Sequence, residues 1–281
     1  MTQASVSVVI PCFNAENTIL RALESVKKQT CPVLEVICVD DCSTDNTVQV
    51  IEGFRSRNPG LSLQILRNAK NSGPGFSRNS GWDIASGDYI AFLDADDAWH
   101  PEKIAIQYSW MLDHPQVALC GHEHFLGYSQ ESADSSQTIS NRKAYLITPN
   151  EILLSNPFTP TSAMLKRSLH HRFEPSRRYT EDYLLWMQIC LDGDLVALLG
   201  LRLAYVFKGA GIQNLSRNLL KMRLGDIENY WQLWRRKKIT LLKMSLLVPF
   251  SVLKFILLIT FPAAHSAIKQ RLFTTQLQEK A

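Results

Sequence analysis

The chain has 281 residues, of which 46% are hydrophobic and 20% are charged. These values are typical of a folded protein that buries a core, and they exclude a disordered or low-complexity chain. The length allows one large α/β domain with an appendage.

Charge is unevenly distributed along the chain. The total is +4, but from Arg217 onward twelve Lys or Arg residues stand against three acids, a net of +9, so the preceding residues carry −5. A slightly acidic body with a strongly basic tail predicts that the tail meets an anionic surface.

The cysteines favour a reducing, cytoplasmic setting. They form no C-x-x-C pair and no zinc-like spacing, and several lie in apolar segments, at positions 12, 31, 38, 42, 120 and 190. Residues 1–11 lack a basic segment followed by a long apolar stretch, so no signal peptide is expected.

Strand-like and helix-like segments alternate over the first 93 residues. Apolar, β-prone segments predict strands at residues 5–10, 34–39, 61–67 and 87–93. Helical spacing between them predicts helices at residues 16–29, 47–57 and 76–85. Asn14 or Asn17 is the candidate N-cap of the first helix. This order is typical of a doubly wound, mostly parallel sheet, in which ligands bind beyond the carboxyl ends of the strands.

Clustered carboxylates follow the strand predicted at residues 87–93. Asp94, Asp96 and Asp97 lie within four positions. Like charges this close raise one another's pKa unless a cation neutralises them. Oxygen ligands at a strand end suit Mg²⁺ or Mn²⁺, which keep open positions for substrate phosphates. The alternative is a solvated acidic turn.

The other predicted strand ends carry groups suited to a nucleotide. Phe13 can stack on a base, and Asp41 can accept a hydrogen bond from a base N–H. Arg78 follows a glycine loop at residues 71–75 and can reach phosphates. The loop is neither a Walker A loop nor a G-x-G-x-x-G turn after the first strand, which argues against nicotinamide cofactors.

Four segments, in this order, resemble the motifs of family 2 glycosyltransferases of the GT-A fold. They read VSVVIPCFNAENTILRALESV, EVICVDDCSTDNT, NSGPGFSRNSGWDIASGDYIAFLDADDAW and YTEDYLLW, and the resemblance covers residues 5–215. It implies an inverting transferase that uses a nucleotide-sugar and a divalent metal, Mg²⁺ or Mn²⁺. The donor nucleotide site that it implies comprises Pro11, Phe13, Asn14, Glu16, Asp41, Arg78, Asp94 and Ala95. Asp96 would bind the metal. Phe13 replaces the usual tyrosine, which keeps stacking and loses a hydroxyl.

Acidic residues open a later apolar helix, predicted at residues 183–191. In a first helical turn Glu181 and Asp182 can be dipole partners or caps. The resemblance instead implies that Asp182 is the catalytic base, which takes the proton from an acceptor hydroxyl as it attacks the anomeric carbon. Glu181 would orient the acceptor or cap the helix.

Further candidates for acceptor or phosphate contacts are less specific; they are Glu181, Trp186, Lys208 and His122. His122 and His124 are two positions apart, which suits either half of a metal site or the lining of a pocket. Many relatives have an Arg and a His near Lys208, and this chain has no such His. Residues 129–141 are polar and predict a surface loop.

The tail combines basic and apolar segments. Residues 219–234 predict a helix, and residues 244–264 are nearly apolar, interrupted by Pro249, Lys254 and Pro262. We favour a surface-embedded or re-entrant hairpin bent at Pro249 on anionic lipid, over a spanning helix or a buried core helix. The predicted domains are therefore residues 1–215, catalytic, and residues 216–281, a membrane-associating extension.

The sequence thus predicts a transferase that moves a sugar from a UDP-sugar to a lipid-linked saccharide in bacterial surface-polysaccharide assembly, at the cytoplasmic face of the cell membrane. No nucleic-acid partner is expected. Transfer to a polyprenyl phosphate is an alternative, and an inactive scaffold subunit is a non-enzymatic one. A sugar nucleotidyltransferase would have a glycine-rich loop with Arg after the first strand, where this chain has PCFNAE.

Overall fold

A computed structural model of the protein describes residues 3–127, 144–207 and 218–260. The strands are β1 (Ala4–Cys12), β2 (Val33–Asp40), β3 (Leu63–Arg67), β4 (Tyr89–Phe92), β5 (Ala98–Trp99), β6 (Val117–Gly127), β7 (Ala144–Ile147), β8 (Met164–Lys166) and β9 (Leu195–Phe207). The α-helices are α1 (Ile19–Lys27), α2 (Thr47–Arg57), α3 (Pro74–Ile84), α4 (Lys103–Asp113), α5 (Pro149–Leu154), α6 (Glu181–Leu191), α7 (Leu219–Arg235) and α8 (Leu241–Thr260).

All described strands join one sheet with the order β3-β2-β1-β4-β8-β6-β9-β5, and β7 pairs with β9. The first four strands are parallel, which confirms the predicted α/β fold. Beyond β4 the sheet is mixed, because β8 runs antiparallel to both β4 and β6. The short strands of this half gave no clear signal in the sequence.

Both faces of the sheet are covered, as expected of a parallel α/β fold. On β1, Val8 and Ile10 face one hydrophobic cluster, and Val9 faces the other. Helix α3 lies against β1 because residue 81 is glycine. A Cβ there would be 2.5 Å from Val9 Cγ1. This close approach sets the position of Arg78 on the same helix.

The first helix begins later than the sequence suggests. Thr18 is its N-cap residue, so neither Asn14 nor Asn17 caps it. Asn14 has a left-handed backbone (φ 50), and its Oδ1 accepts a hydrogen bond from the backbone N–H of Thr44 at 2.9 Å. The side chain is therefore committed to the loop after β2.

The predicted hairpin bent at Pro249 is wrong. Helix α8 continues through Pro249, and it is the one helix in the described residues with the length and apolarity to cross a membrane. A proline removes one helical hydrogen bond. Leu247 and Ser251 on either side of it are buried against the body, which holds the helix together at that point.

Candidate active site

The carboxyl ends of three adjacent strands meet at one edge of the sheet. The backbone N–H of Asp41 donates to Cys12 O at 2.7 Å, and that of Leu93 donates to Val9 O at 3.1 Å. Phe13, Asp41 and Asp94 therefore lie side by side after β1, β2 and β4. Phe13 is 43% exposed, which leaves its ring available for stacking.

Arg78 links the end of β4 to the start of α6. Its Nη2 lies 2.7 Å from Asp94 Oδ1 and its Nη1 lies 2.9 Å from Glu181 Oε1. Burial lowers the pKa of Arg78, but the charges of Asp94 and Glu181 outweigh this effect and raise the pKa. A buried guanidinium thus joins α3, the end of β4 and α6.

Asp182 has the environment of a base that works near neutral pH. Withdrawal of the carboxylate from water and the charge of Glu181 raise its pKa to about 7, opposed by Arg78 and by hydrogen bonds. One of these comes from Asn156 Nδ2, which donates to Asp182 Oδ2 at 3.1 Å. A carboxylate with a pKa near the working pH can both take and release a proton.

The carboxylates after β4 divide into one that supports the fold and one suited to a cation. Asp97 accepts hydrogen bonds from Thr161 Oγ1 at 2.6 Å and from the backbone N–H of Phe207 at 3.2 Å. Asp96 forms no ion pair within the described ranges, and burial together with the charge of Asp94 raises its pKa to about 6. Asp96 is partly exposed, and the charges of Arg21 and Arg78 offset the rise in its pKa only in part. A carboxylate whose charge is only partly compensated fits Mg²⁺ or Mn²⁺.

Asp41 forms hydrogen bonds within the protein that the sequence did not suggest. It accepts hydrogen bonds from Asn68 Nδ2 at 2.8 Å and from the backbone N–H groups of Ser72 and Gly73 at 2.9 and 2.7 Å. A carboxylate accepts about four hydrogen bonds. Asp41 thus holds the glycine loop, and these three contacts leave one of its acceptor positions unused.

The remaining residues at the first strand end join two loops. Glu16 Oε2 accepts hydrogen bonds from the backbone N–H and the side chain of Asn46, at 3.0 and 2.9 Å. Pro11 is partly exposed beside them, and Ala95 is buried in the turn after β4. Lys208 and the loop predicted at residues 129–141 lie outside the described residues.

Two predicted contact residues are enclosed in the core. Trp186 is fully buried, with its ring centroid 5.6 Å from that of Phe158 and 5.9 Å from that of Phe173. His122 is also fully buried, and burial together with the charge of Lys103 lowers its pKa to about 3. Neither side chain reaches a surface that an acceptor could touch, so these two predicted contacts are corrected.

Sequence reasoning missed three residues that contact the site, which are Arg21, Asn156 and Thr161. Arg21 lies within the first of the four family-like segments, but no pattern singled it out, and Asn156 and Thr161 lie outside these segments. Arg21 donates to the backbone carbonyl of Asp96, and its guanidinium carbon lies 3.8 Å from the centroid of the Phe207 ring. Thr161 Oγ1 accepts a hydrogen bond from the backbone N–H of Asp94 at 3.3 Å.

A second group of potential metal ligands lies at the far end of α6. His170, His171 and Asp192 bring their donor atoms within 4.8 Å of one another. Asp192 already pairs with His171 Nε2 at 2.9 Å and with Lys238. Helix α6 runs from Glu181 to Leu191 between the two places, so this group is separate from the strand-end site.

The family model of "Glycosyl transferase family 2" matches residues 7–173. Among curated proteins, Escherichia coli WfgD is 32% identical over 194 residues, which cover 69% of this chain and 72% of WfgD. It is described as a UDP-Glc:alpha-D-GlcNAc-diphosphoundecaprenol beta-1,3-glucosyltransferase. Bacillus subtilis TuaG, a putative teichuronic acid biosynthesis glycosyltransferase, is 28% identical, with 67% of this chain and 73% of TuaG covered.

Among solved structures, residues 1–349 of Staphylococcus aureus TarS in complex with UDP-GlcNAc are 25% identical, with a TM-score of 0.63. The match covers 80% of this chain and 66% of the TarS chain. The fold is therefore GT-A, and the chain belongs to glycosyl transferase family 2.

Proposed function

We propose that this protein is an inverting glycosyltransferase that moves a sugar from a UDP-sugar to a hydroxyl of a lipid-linked saccharide. The observation that carries the proposal is the chain of ion pairs from Asp94 through Arg78 to Glu181, the residue before Asp182. This arrangement supports a site in which a base, a phosphate-binding cation and a metal-binding carboxylate act together.

Each residue then has a distinct task. Phe13 and Asp41 receive the base. Asp182 takes the proton of the acceptor hydroxyl as that oxygen attacks the anomeric carbon from the face opposite the leaving group. Arg78 holds positive charge at the boundary between donor and acceptor. Asp96 would hold a divalent metal, which would supply charge stabilisation for the departing diphosphate.

The choice of UDP and of a lipid-linked acceptor rests on the relatives. WfgD uses UDP-Glc and a diphosphoundecaprenol-linked sugar, and the TarS structure holds UDP-GlcNAc. Both names describe those proteins, and they indicate which ligands to test first with this chain.

The contacts of helix α8 favour a helix that lies at the membrane surface over one that spans the membrane. Lys254 Nζ donates to Leu154 O at 3.3 Å, and Ser251 Oγ lies 3.1 Å from Arg223 Nη1 on α7. Ser251 and Lys254 of α8 thus face the body, while its exposed leucines face outward. A helix held along the body in this way suits the lipid interface at the cytoplasmic face.

The test is a transfer assay with the full chain, Mn²⁺ and radiolabelled UDP-glucose or UDP-GlcNAc. Two acceptors are compared, GlcNAc linked by diphosphate to a polyprenol and a bare polyprenyl phosphate. Label on the saccharide supports the proposal. Label on the polyprenyl phosphate alone would replace it with the alternative enzyme. If neither accepts label and UDP does not bind with Mn²⁺, the proposal fails.

A further inference from the structure

The residue before the first turn of α6 (residues 181–184, here called the catalytic turn) has an unusual backbone conformation. Thr180, the N-cap residue of α6, has a left-handed conformation (φ 54, ψ 24), and its side chain makes no cap hydrogen bond. β-Branched residues rarely adopt this region, because the side chain crowds the backbone. Something outside the helix must therefore hold Thr180 in place.

Helix α7 supplies that support. Asn229, which is fully buried, donates through Nδ2 to Thr180 O at 3.1 Å and to Thr180 Oγ1 at 3.2 Å. The same carbonyl accepts the first helical hydrogen bond of α6, from the backbone N–H of Leu184 at 3.1 Å. Asn229 thus binds the atom from which the catalytic turn begins.

Close packing at one glycine completes the contact. A Cβ at Gly225 would lie 2.5 Å from Thr180 Oγ1 and 3.3 Å from Tyr179 O. Arg177 Nη2 donates to Gly225 O at 3.0 Å, which ties the segment before Thr180 to the same turn of α7. Only a residue without a side chain allows α7 to approach this far.

We propose that Asn229 is a positioning residue for Asp182. By holding Thr180 in the left-handed conformation, Asn229 and Gly225 direct the first turn of α6 so that Glu181 meets Arg78 and Asp182 meets Asn156. Helix α7, outside the residues 7–173 that match the family model, thereby becomes part of the catalytic architecture. This inference rests on the proposed function of Asp182.

The test compares Asn229→Ala with Gln29→Ala in the full chain. Gln29 follows α1, is also buried, and donates through Nε2 to Ser25 O at 3.0 Å and to His100 O at 2.9 Å. It therefore reports the general cost of removing a buried amide side chain that donates two hydrogen bonds. The readouts are kcat and KM for transfer of glucose from UDP-glucose to GlcNAc linked by diphosphate to a polyprenol, with Mn²⁺, together with UDP affinity by calorimetry and amide exchange of residues 181–184.

For Asn229→Ala we expect kcat to fall by about tenfold or more, because small displacements of a catalytic group are costly. UDP affinity and KM should stay within about twofold, since the nucleotide edge is unchanged. The amides of residues 181–184 should exchange faster than in Gln29→Ala. Equal falls in kcat for the two variants, or loss of UDP affinity in parallel with kcat, would overturn the proposal.

A rescue variant separates positioning from general stability. Glycine adopts left-handed conformations without strain, so Asn229→Ala should lower kcat by a smaller factor in a Thr180→Gly background than in the wild type. An undiminished fall in that background would refute the role. If Asn229→Ala does not fold, Gly225→Ala, which pushes on Thr180 instead, must give the same split between kcat and UDP affinity.

The exchange measurement also keeps two failures apart. If the wild type transfers label to neither acceptor and does not bind UDP with Mn²⁺, the proposed function fails. Faster exchange of residues 181–184 in Asn229→Ala alone would then still establish that Asn229 holds the turn, and unchanged exchange would show that it does not.

Discussion

Arg78 Nη1 lies 2.9 Å from Glu181 Oε1, although the two residues are 103 positions apart in the sequence. The pair joins α3 to α6, and the other side of the same guanidinium contacts Asp94. It is therefore the link between the residues assigned to the donor and those assigned to the acceptor.

Arg78→Met should destabilise the protein by about 3 kcal/mol, because it strands the buried charge of Glu181. The side chain of Glu181 is 8% exposed, whereas that of Asp94 is 30% exposed and keeps more of its hydration. The control is Arg202→Met, which breaks the exposed pair with Glu123 and should cost at most about 1 kcal/mol. Equal urea midpoints for the two variants would contradict this reading.

Asp182→Asn should lower sugar transfer by about 10²–10⁴-fold and leave UDP binding intact, because it removes the base and preserves the shape of the side chain. The matched control is Asp113→Asn, an exposed carboxylate at the end of α4, which should keep full activity. Retained turnover in Asp182→Asn would remove the assignment of the base.

The pH profile of kcat should report the ionisation of Asp182. Its pKa of about 7 means that the active, ionised form is lost as pH falls below 7, by about tenfold per pH unit. Asn156→Ala removes a hydrogen bond that lowers this pKa, so the acidic fall of the kcat profile should move to higher pH. Glu181→Gln removes a like charge that raises the pKa of Asp182, so the acidic fall of the kcat profile should move to lower pH. Shifts in the same direction would be inconsistent with the site described above.

Asp96→Ala should abolish the metal dependence of UDP binding, measured by calorimetry with Mn²⁺ and then with EDTA. The neighbouring carboxylate provides the control. Because both oxygens of Asp97 are engaged by Thr161 and Phe207, Asp97→Asn should leave the effect of Mn²⁺ unchanged. The assignment of the metal ligand fails if the two variants respond alike.

Membrane attachment is best tested on the outer face of α8. A truncation at Arg235 would also remove Ile239 and Leu247, which are buried in the core. Leu246→Glu with Leu253→Glu changes side chains that are 65% and 56% exposed and should reduce sedimentation with anionic vesicles. Leu112→Glu on α4, at 52% exposure, should not. Undiminished sedimentation of the double variant would argue against this surface.

Local patterns predicted the first half of the fold closely. The helix expected at residues 47–57 is α2 (Thr47–Arg57), and the strand expected at residues 34–39 is β2 (Val33–Asp40). Strand ends also predicted that Phe13, Asp41 and Asp94 lie together. The predicted contact of Trp186 with the acceptor was wrong. The sequence of α6 is apolar on almost every side, which is typical of a buried helix and could have indicated that Trp186 lies in the core.

The sequence by itself determined the α/β order, the carboxylates at the strand ends and the family motifs, because these depend on neighbouring residues and on a periodicity of two or 3.6. Only the tertiary structure decided which charges meet. The pairing of Arg78 with Glu181 and the hold of Asn229 on Thr180 join distant segments. Such contacts depend on how helices pack on the sheet, and no local pattern records that.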